Sequence, residues 1–375
     1  MFLYSFLTCF VPKIVYAQSL SDNINEQLNN IDFSELEQWV NSIEELGANF
    51  DYMGVIKNFL NGDISFDFNN IANSFFNIFI SNIKKYAPSM VSILAISLFI
   101  IFILNFQGNF FNKQIGDVII YCSYLFVVII LFTQIISFYN SSKIIIENLI
   151  KLMQIMSPII LSLMVASGGN MSATIYQPAV TFLTTGISTI ILNFVFPIIY
   201  LIGVFSIFNT ITGSINLGKL AGFFSDVLKW VFGIIVTVFT IFLSIQGITA
   251  SVYDGISFKA AKYAISNSIP IVGGFIRDGF DLVVAGSVII KNSIGLMGVF
   301  AVLFTIATPL IMLCSFNVLL KFIGFLLNSL SDNFISSICL NSSKCITYMC
   351  VSILVVGLMF FITILLMIIS ANFVI

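Results

Sequence analysis

The sequence predicts an all-α, polytopic integral membrane protein with eight to ten transmembrane helices. Of its 375 residues, 59% are hydrophobic and 9% are charged, whereas soluble domains have roughly 45–50% and about 25%. The mean hydropathy is +1.07. Several stretches without any charge exceed the roughly 20 apolar residues that a helix needs to cross a bilayer. These observations exclude an ordinary soluble protein.

The stretches without charge predict where the helices lie. They cover residues 86–112, 118–142, 152–218, 230–253, 292–320 and 345–375. The third is long enough for three spans, separated at Ser167–Asn170 and at Asn193–Pro197, so eight helices are expected. Two segments that contain charged or polar residues, 264–280 and 322–340, extend the range to ten.

The charges divide the chain into three parts. Residues 1–17 begin with an apolar run, Met1–Val11, and end in a small-residue pattern at Val15–Ala17, which predicts a signal peptide cleaved after Ala17, or a short anchor. Residues 18–85 form an acidic extracytoplasmic segment with amphipathic helices, and residues 18–83 hold ten acids and one base, a net charge of −9. The last of these helices ends at Lys84–Lys85 and is expected on the membrane surface or against the segment's other helices. Residues 86–375 form the membrane domain. The basic residues after position 83 do not all fall in cytoplasmic loops in this orientation, so positive-inside counting opposes it.

A shift of 112 residues aligns the second half of the chain with the first. Pro158, Gly186 and Pro197 then fall on Pro270, Gly298 and Pro309. This predicts an internal repeat of residues 139–250 and 251–362, and chance agreement is the alternative. Internal repeats with helices broken by Gly or Pro are typical of transport proteins.

The composition argues against an enzyme, a cofactor and a metal site. The chain has no His, which removes Ser-His-Asp and Cys-His nucleophile systems and HExxH zinc sites. Its six Cys form no CxxC pair. Residues 213–219 resemble the start of a P-loop, but Leu220 stands where Ser or Thr must hold Mg²⁺. A net charge of −2 does not suggest nucleic-acid binding.

Ionisable and helix-breaking residues cluster between two predicted spans, and charge inside a membrane is costly unless it is paired or lines a water-filled path. We therefore expect a path-lining or gating role here, and the alternative is an interfacial loop with local ion pairs. A third hypothesis, an aspartyl protease that uses Asp254 with Asp278 or Asp281, requires an enclosed pair of carboxylates. The candidate residues are Gly168, Gly169, Gln246, Asp254, Lys259, Lys262, Pro270, Gly273, Gly274, Arg277, Asp278, Asp281 and Lys291.

Six ordered segments of the chain resemble the stage III sporulation protein AE family of endospore-forming bacteria. They are LNGDISF at 60–66, VASGGNMSA at 165–173, QP at 177–178, SIQGITASVYDGI at 244–256, NSIPIVGG at 267–274 and KNSIG at 291–295. The resemblance covers the chain from about Leu60 to the C-terminus. It provides no catalytic residues.

The resemblance implies a multi-pass protein of the mother-cell membrane, which is the outer forespore membrane. It also implies partners: the other proteins of the stage III sporulation A-type complex, and stage II sporulation protein Q on the forespore side. The expected function is a membrane-embedded component of a trans-envelope sporulation channel or export complex required for forespore development. The alternative is a self-sufficient secondary transporter whose Gly- and Pro-broken helices hold a substrate near Gly168–Gly169 and Gly273–Gly274.

Overall fold

A computed structural model describes Ser34 and residues 68–106, 113–211, 217–268, 273–330 and 334–370. Apart from the turn at 167–169 and Ser370, all of these residues are helical, which confirms the all-α class. The predicted signal peptide and nearly all of the acidic segment up to residue 67 lie outside the described residues. The helices are α1 (Phe68–Phe106), α2 (Lys113–Ala166), α3 (Asn170–Thr181), α4 (Ser188–Ile190), α5 (Phe196–Ile211), α6 (Leu217–Ser268), α7 (Gly273–Leu330) and α8 (Phe334–Ile369).

Six helical runs in the described part are long and apolar enough to cross a bilayer, which supports a membrane protein. The predicted count of eight to ten is not confirmed. One reason is that α2 is a single helix of 54 residues and passes through Lys143, Glu147 and Lys151, which were expected to separate two spans. The six runs are Phe75–Leu104, Gln114–Ala166, Asn170–Asn209, Leu217–Ser244, Asp281–Leu330 and Phe334–Ile369.

The predicted break at Ser167–Asn170 is present and has the geometry of a Schellman motif. The Gly169 N–H donates to the Met164 carbonyl at 2.8 Å, and the Gly168 N–H donates to the Val165 carbonyl at 3.0 Å. Gly168 has a φ of 89°, a left-handed conformation that strains residues with a Cβ. The glycine therefore ends α2 and allows α3 to start in a new direction.

The second predicted break, at Asn193–Pro197, is not a break. The chain stays helical from α3 to α5 through two π-helical segments, Phe182–Ile187 and Ile191–Val195, which flank α4. The second segment ends directly before α5, in which Pro197 is the second residue. Proline has no N–H to donate to the preceding turn, and the wider π-helical turn accommodates this loss without interrupting the span.

The predicted surface helix and the first span form one helix. Helix α1 runs without interruption through Lys84 and Lys85, and Pro88 lies inside it. The internal repeat is not confirmed. A shift of 112 residues would place the break at 167–169 on residues 279–281, which lie within the continuous helix α7.

Helices α7 and α8 form the central hairpin of the bundle. Glycines bring the two backbones close together: a Cβ at Gly357 would lie 2.9 Å from Ile306 Cγ2, and one at Gly295 would overlap with Ile368. Small residues are typical of such contacts between membrane helices. Helix α2 packs antiparallel to α7, because a Cβ at Gly298 would lie 2.6 Å from Met156 Cε while Phe138 contacts Phe316 at a ring-centroid distance of 4.6 Å.

Side-chain contacts align five helices at one level of the bundle. The Tyr86 ring of α1 lies 5.3 Å from the rings of both Phe138 and Phe316. Next to Phe316, Asn317 Nδ2 donates to Thr347 Oγ1 on α8 at 2.9 Å. The adjacent Tyr348 Oη donates to the Ser225 carbonyl on α6 at 3.4 Å. Helices α1, α2, α6, α7 and α8 therefore share this level.

Six lysines lie within five residues of these contacts, or about 8 Å along a helix axis. All but the half-buried Lys143 are exposed. Lys229 pairs with Asp226 at 2.8 Å. Basic residues at one level of an apolar bundle are typical of a membrane–water boundary. We call this set the lysine girdle: Lys84, Lys85, Lys143, Lys229, Lys321 and Lys344.

Helices α1 and α2 extend beyond the girdle on the side away from Lys291. Phe106 lies 20 residues after Tyr86, and Lys113 lies 25 residues before Phe138. Only six residues connect Phe106 to Lys113. The end of α1 and the start of α2 must therefore lie on the same side of the girdle. The ring contact of Tyr124 with Phe334 at 4.3 Å keeps this part of α2 beside the start of α8. We call residues 91–106 and 113–134 the outer hairpin.

Candidate functional site at the start of helix α3

Two charged residues are buried within the described part of the chain, and both belong to the predicted site. Asp254 is 2% exposed and Lys291 is 0% exposed. Both form hydrogen bonds with main-chain groups at helix ends. Asp254 binds the first turn of α3 directly, and Lys291 is linked to Tyr176 of α3 through Ser370.

The Asp254 carboxylate caps α3. Its Oδ1 accepts the Met171 N–H at 2.8 Å, and its Oδ2 accepts the Ser172 N–H at 3.0 Å. The N-cap residue of α3 is Gly169, which has no side chain to accept these hydrogen bonds. A carboxylate from α6 thus replaces the missing cap and lies at the positive end of the helix dipole. Charge-assisted bonds of this kind are shorter and stronger than neutral ones.

The Lys291 ammonium lies at the opposite kind of helix end. Its Nζ donates to the Ser370 carbonyl at 2.5 Å, directly after the last residue of α8. The final carbonyls of a helix lack partners within the helix and form the negative end of its dipole. The buried cation of α7 is therefore stabilised by the C-terminal end of α8.

Ser370 also connects Lys291 to α3. Its Oγ donates either to Tyr176 Oη at 2.9 Å or to the Leu366 carbonyl at 2.8 Å. Tyr176 is fully buried and lies five residues after Met171 in α3, or about 8 Å along the helix axis. Helices α3, α6, α7 and α8 are therefore joined by polar contacts at one end of the bundle.

The contacts given for the described residues hold helix ends. Each of the two buried charges forms hydrogen bonds with main-chain groups at a helix terminus. No group of three metal-ligating side chains occurs among the described residues. The contacts can position α3, and release of either contact would free the broken end of a membrane helix.

The structure brings only some of the predicted site residues together. Gly168 and Gly169 form the turn that Asp254 caps, whereas Lys259 is exposed and does not contribute to the buried contacts. Asp281 is half-buried at the start of the apolar part of α7. The proposed pairing of Asp254 with a second carboxylate is not among the contacts that the structure gives for Asp254. The side chains of Gln246, Lys262, Arg277 and Asp278, and the surroundings of Pro270, Gly273 and Gly274, lie outside the described residues.

Sequence reasoning missed Tyr176 and Ser370. Neither carries charge, and Ser370 lies 79 residues from Lys291. Tyr176 does have a sequence signal, because it directly precedes the Gln177–Pro178 pair of α3. Ser370 has no comparable signal, because it is one of several hydroxyl residues in the last apolar stretch and it binds Lys291 through its main-chain carbonyl.

Comparisons with known proteins agree with the resemblance. The family model described as Stage III sporulation protein AE matches residues 50–371. Stage III sporulation protein AE of Bacillus subtilis (strain 168) is 26% identical over 320 residues, which cover 85% of this chain and 80% of that relative. No solved structure matches the chain.

Proposed function

Because the chain belongs to the stage III sporulation protein AE family, we propose that it is a membrane-embedded component of a trans-envelope channel or export assembly between mother cell and forespore, required for forespore development. In this proposal it resides in the mother-cell (outer forespore) membrane. It has no catalytic activity of its own, and it contacts other stage III sporulation A-type proteins and stage II sporulation protein Q.

The observation that carries the proposal is the length of the apolar bundle compared with the thickness of a bilayer. Helix α2 has 54 residues and is therefore about 80 Å long, whereas the hydrocarbon core of a bilayer is about 30 Å thick. Its contacts with Phe334 at Tyr124 and with Gly298 at Met156 keep it extended beside α7 and α8. The bundle along α2 is therefore longer than a single bilayer is thick.

Large apolar side chains are exposed on both sides of the lysine girdle. In the outer hairpin, Tyr121, Phe126 and Ile129 are 60–64% exposed. On the side of Lys291, Ile234 is 58% exposed and Ile241 is 56% exposed. A bilayer that begins at the girdle covers one side, and the other needs a protein surface. In an assembly, a partner protein covers the apolar side chains on the side of the girdle that the bilayer does not cover.

The alternative of a self-sufficient transporter gains less support. In discontinuous transporter helices, the N-terminus of a half-helix points at an anionic substrate. Here the N–H groups of Met171 and Ser172 bind the chain's own Asp254. The place suggested for a substrate near Gly168–Gly169 is therefore filled by a protein carboxylate.

Purification of the tagged, full-length chain from sporulating cells tests the proposal. We expect stage III sporulation A-type proteins to co-purify after mild solubilisation, and we expect no transport by the chain alone in liposomes. Substrate uptake by the purified chain in the absence of those proteins would contradict the proposal and favour a transporter.

A further inference from the structure

A groove with two lysines on a largely apolar lining opens between the end of α7 and the start of α8, at the level of the lysine girdle. Its volume is about 1020 Å³. Lys321 lines it from α7 and Lys344 lines it from α8. The two helices are antiparallel, and Asn317 bonds to Ser343 and Thr347. These contacts bring the two lysines to neighbouring levels on opposite walls of the groove.

The charge of the groove favours an anion. Among the described residues that line it there are two lysines and no acidic side chain. Asn328 and Asn341 add amide groups, and Lys344 Nζ donates to Asn341 Oδ1 at 3.1 Å, which orients the ammonium. Lysines and amide N–H donors are the groups that bind phosphate oxygens.

The apolar part of the groove indicates that the anion carries hydrocarbon chains. Phe325, Phe334 and Leu340 line the same groove. Phe322 and Phe325 are each 60% exposed and lie one and four residues beyond Lys321. Phosphate-binding groups next to exposed aromatic rings, at the boundary of a membrane, match the two parts of a phospholipid.

We propose that this groove is a binding site for an anionic phospholipid, whose phosphate lies between Lys321 and Lys344 and whose acyl chains follow the apolar residues of α7 and α8. Contacts between α7 and α8 close the groove below the proposed ligand. Ser336 Oγ donates to the Gly324 carbonyl at 2.7 Å, and a Cβ at Gly324 would lie 2.8 Å from Leu340 Cδ2. The walls are therefore held together below the site.

The test compares lipids on the purified, full-length protein by native mass spectrometry and by thermal unfolding in neutral detergent. The probes are phosphatidylglycerol, phosphatidylcholine and inorganic phosphate. We expect phosphatidylglycerol to bind at least about tenfold more tightly than phosphatidylcholine, because each lysine near an anionic headgroup contributes substantially to binding. Equal binding of the two lipids would overturn the proposal, as would inorganic phosphate that binds and stabilises as strongly as the anionic lipid does.

Variants locate the site. The double variant Lys321→Gln/Lys344→Gln is expected to lose most of the preference for phosphatidylglycerol, and Lys321→Arg/Lys344→Arg is expected to keep it. The matched control is Lys84→Gln/Lys85→Gln, which removes the same charge from the girdle on α1, outside the groove. If both glutamine variants weaken binding equally, the effect is general electrostatics and the proposed site is wrong.

Discussion

At the scale of single residues, the two buried charges are best understood as helix caps that hold a broken membrane helix. Asp254 supplies the acceptor that Gly169 lacks, and Lys291 binds the terminal carbonyl region of α8. Removal of one partner from a buried charged contact leaves the other partner unsatisfied and usually costs more than the net value of the contact.

We predict that Asp254→Ala lowers the free energy of unfolding by about 2 kcal/mol, because two buried N–H groups of α3 lose a charged acceptor. Asp254→Asn retains one acceptor oxygen and should cost roughly half as much. The apparent melting temperature of the purified protein in detergent measures both changes. The control is Lys259→Ala, at an exposed position of the same helix. An Asp254→Ala protein as stable as this control would show that the cap is dispensable.

For Lys291 the sign of the charge should matter more than its presence. Lys291→Met removes the donor to the Ser370 carbonyl and should cost about 1–2 kcal/mol, because a buried acceptor loses its partner while no new charge is introduced. Lys291→Glu places a carboxylate against the negative end of α8 and should cost about 3 kcal/mol or more. Immunoblotting of membranes should show that the methionine variant accumulates and the glutamate variant does not. Normal accumulation of the glutamate variant would contradict the contact with Ser370.

The sequence indicated these two charges but not their partners. Lys291 is conspicuous because a long apolar stretch follows it, and Asp254 because it ends a predicted span. Their partners are main-chain groups of α3 and α8, and any residue type can supply such groups. Only the packing of helices that are distant in sequence determines which ones are near.

At the scale of elements, glycines fix where helices end and where they touch. The break at Gly168 could be predicted, because consecutive Gly residues after an apolar run are a known helix stop. The π-helical passage at 182–195 could not, since Asn193 and Pro197 fit a loop and a wide helical turn equally well. The length of α2 was also missed, because the charges at 143–151 lie within a helix that neighbouring helices stabilise.

Gly168→Ala should destabilise the protein by about 1–2 kcal/mol, because a Cβ is strained at a φ of 89°. Gly222→Ala is the control: it lies within α6, and a Cβ there meets nothing within 4 Å. The control should be neutral or slightly stabilising, as Ala favours a helix over Gly. Thermal unfolding of the two variants under the same conditions measures the difference. Equal melting temperatures would contradict the left-handed conformation of Gly168.

The close approach of the α7 and α8 backbones at glycines leads to a separate prediction. An alanine at Gly295 would overlap with Ile368, whereas one at Gly233 meets nothing within 4 Å. Gly295→Ala should therefore cost about 1–3 kcal/mol through overpacking, and Gly233→Ala should not. Cysteines that replace Ile306 and Gly357 should form a disulfide in the parent protein, and its yield should fall in Gly295→Ala. An unchanged yield and stability would contradict the close approach of the hairpin.

At the scale of the whole molecule, the central feature is a bundle longer than a bilayer is thick, with lysines part of the way along it. The apolar composition predicted a membrane protein, and six helical runs in the described part of the chain are long and apolar enough to cross a bilayer. It could not predict that the uncharged stretches of different helices are displaced along the bundle. That displacement follows from the contacts of Tyr86, Phe138 and Phe316, and it leaves apolar side chains exposed on both sides of the girdle.

Photo-crosslinking in sporulating cells tests this account most directly. A photoreactive amino acid is placed at Phe99 or Phe126 in the outer hairpin and, as the matched set, at Ile234 or Ile241 on the side of Lys291; all four positions are exposed. We predict protein crosslinks from one set and lipid-only labelling from the other, because one bilayer cannot cover both. Lipid-only labelling from all four positions would show that the bilayer covers the whole bundle, and would contradict a chain that requires a protein partner.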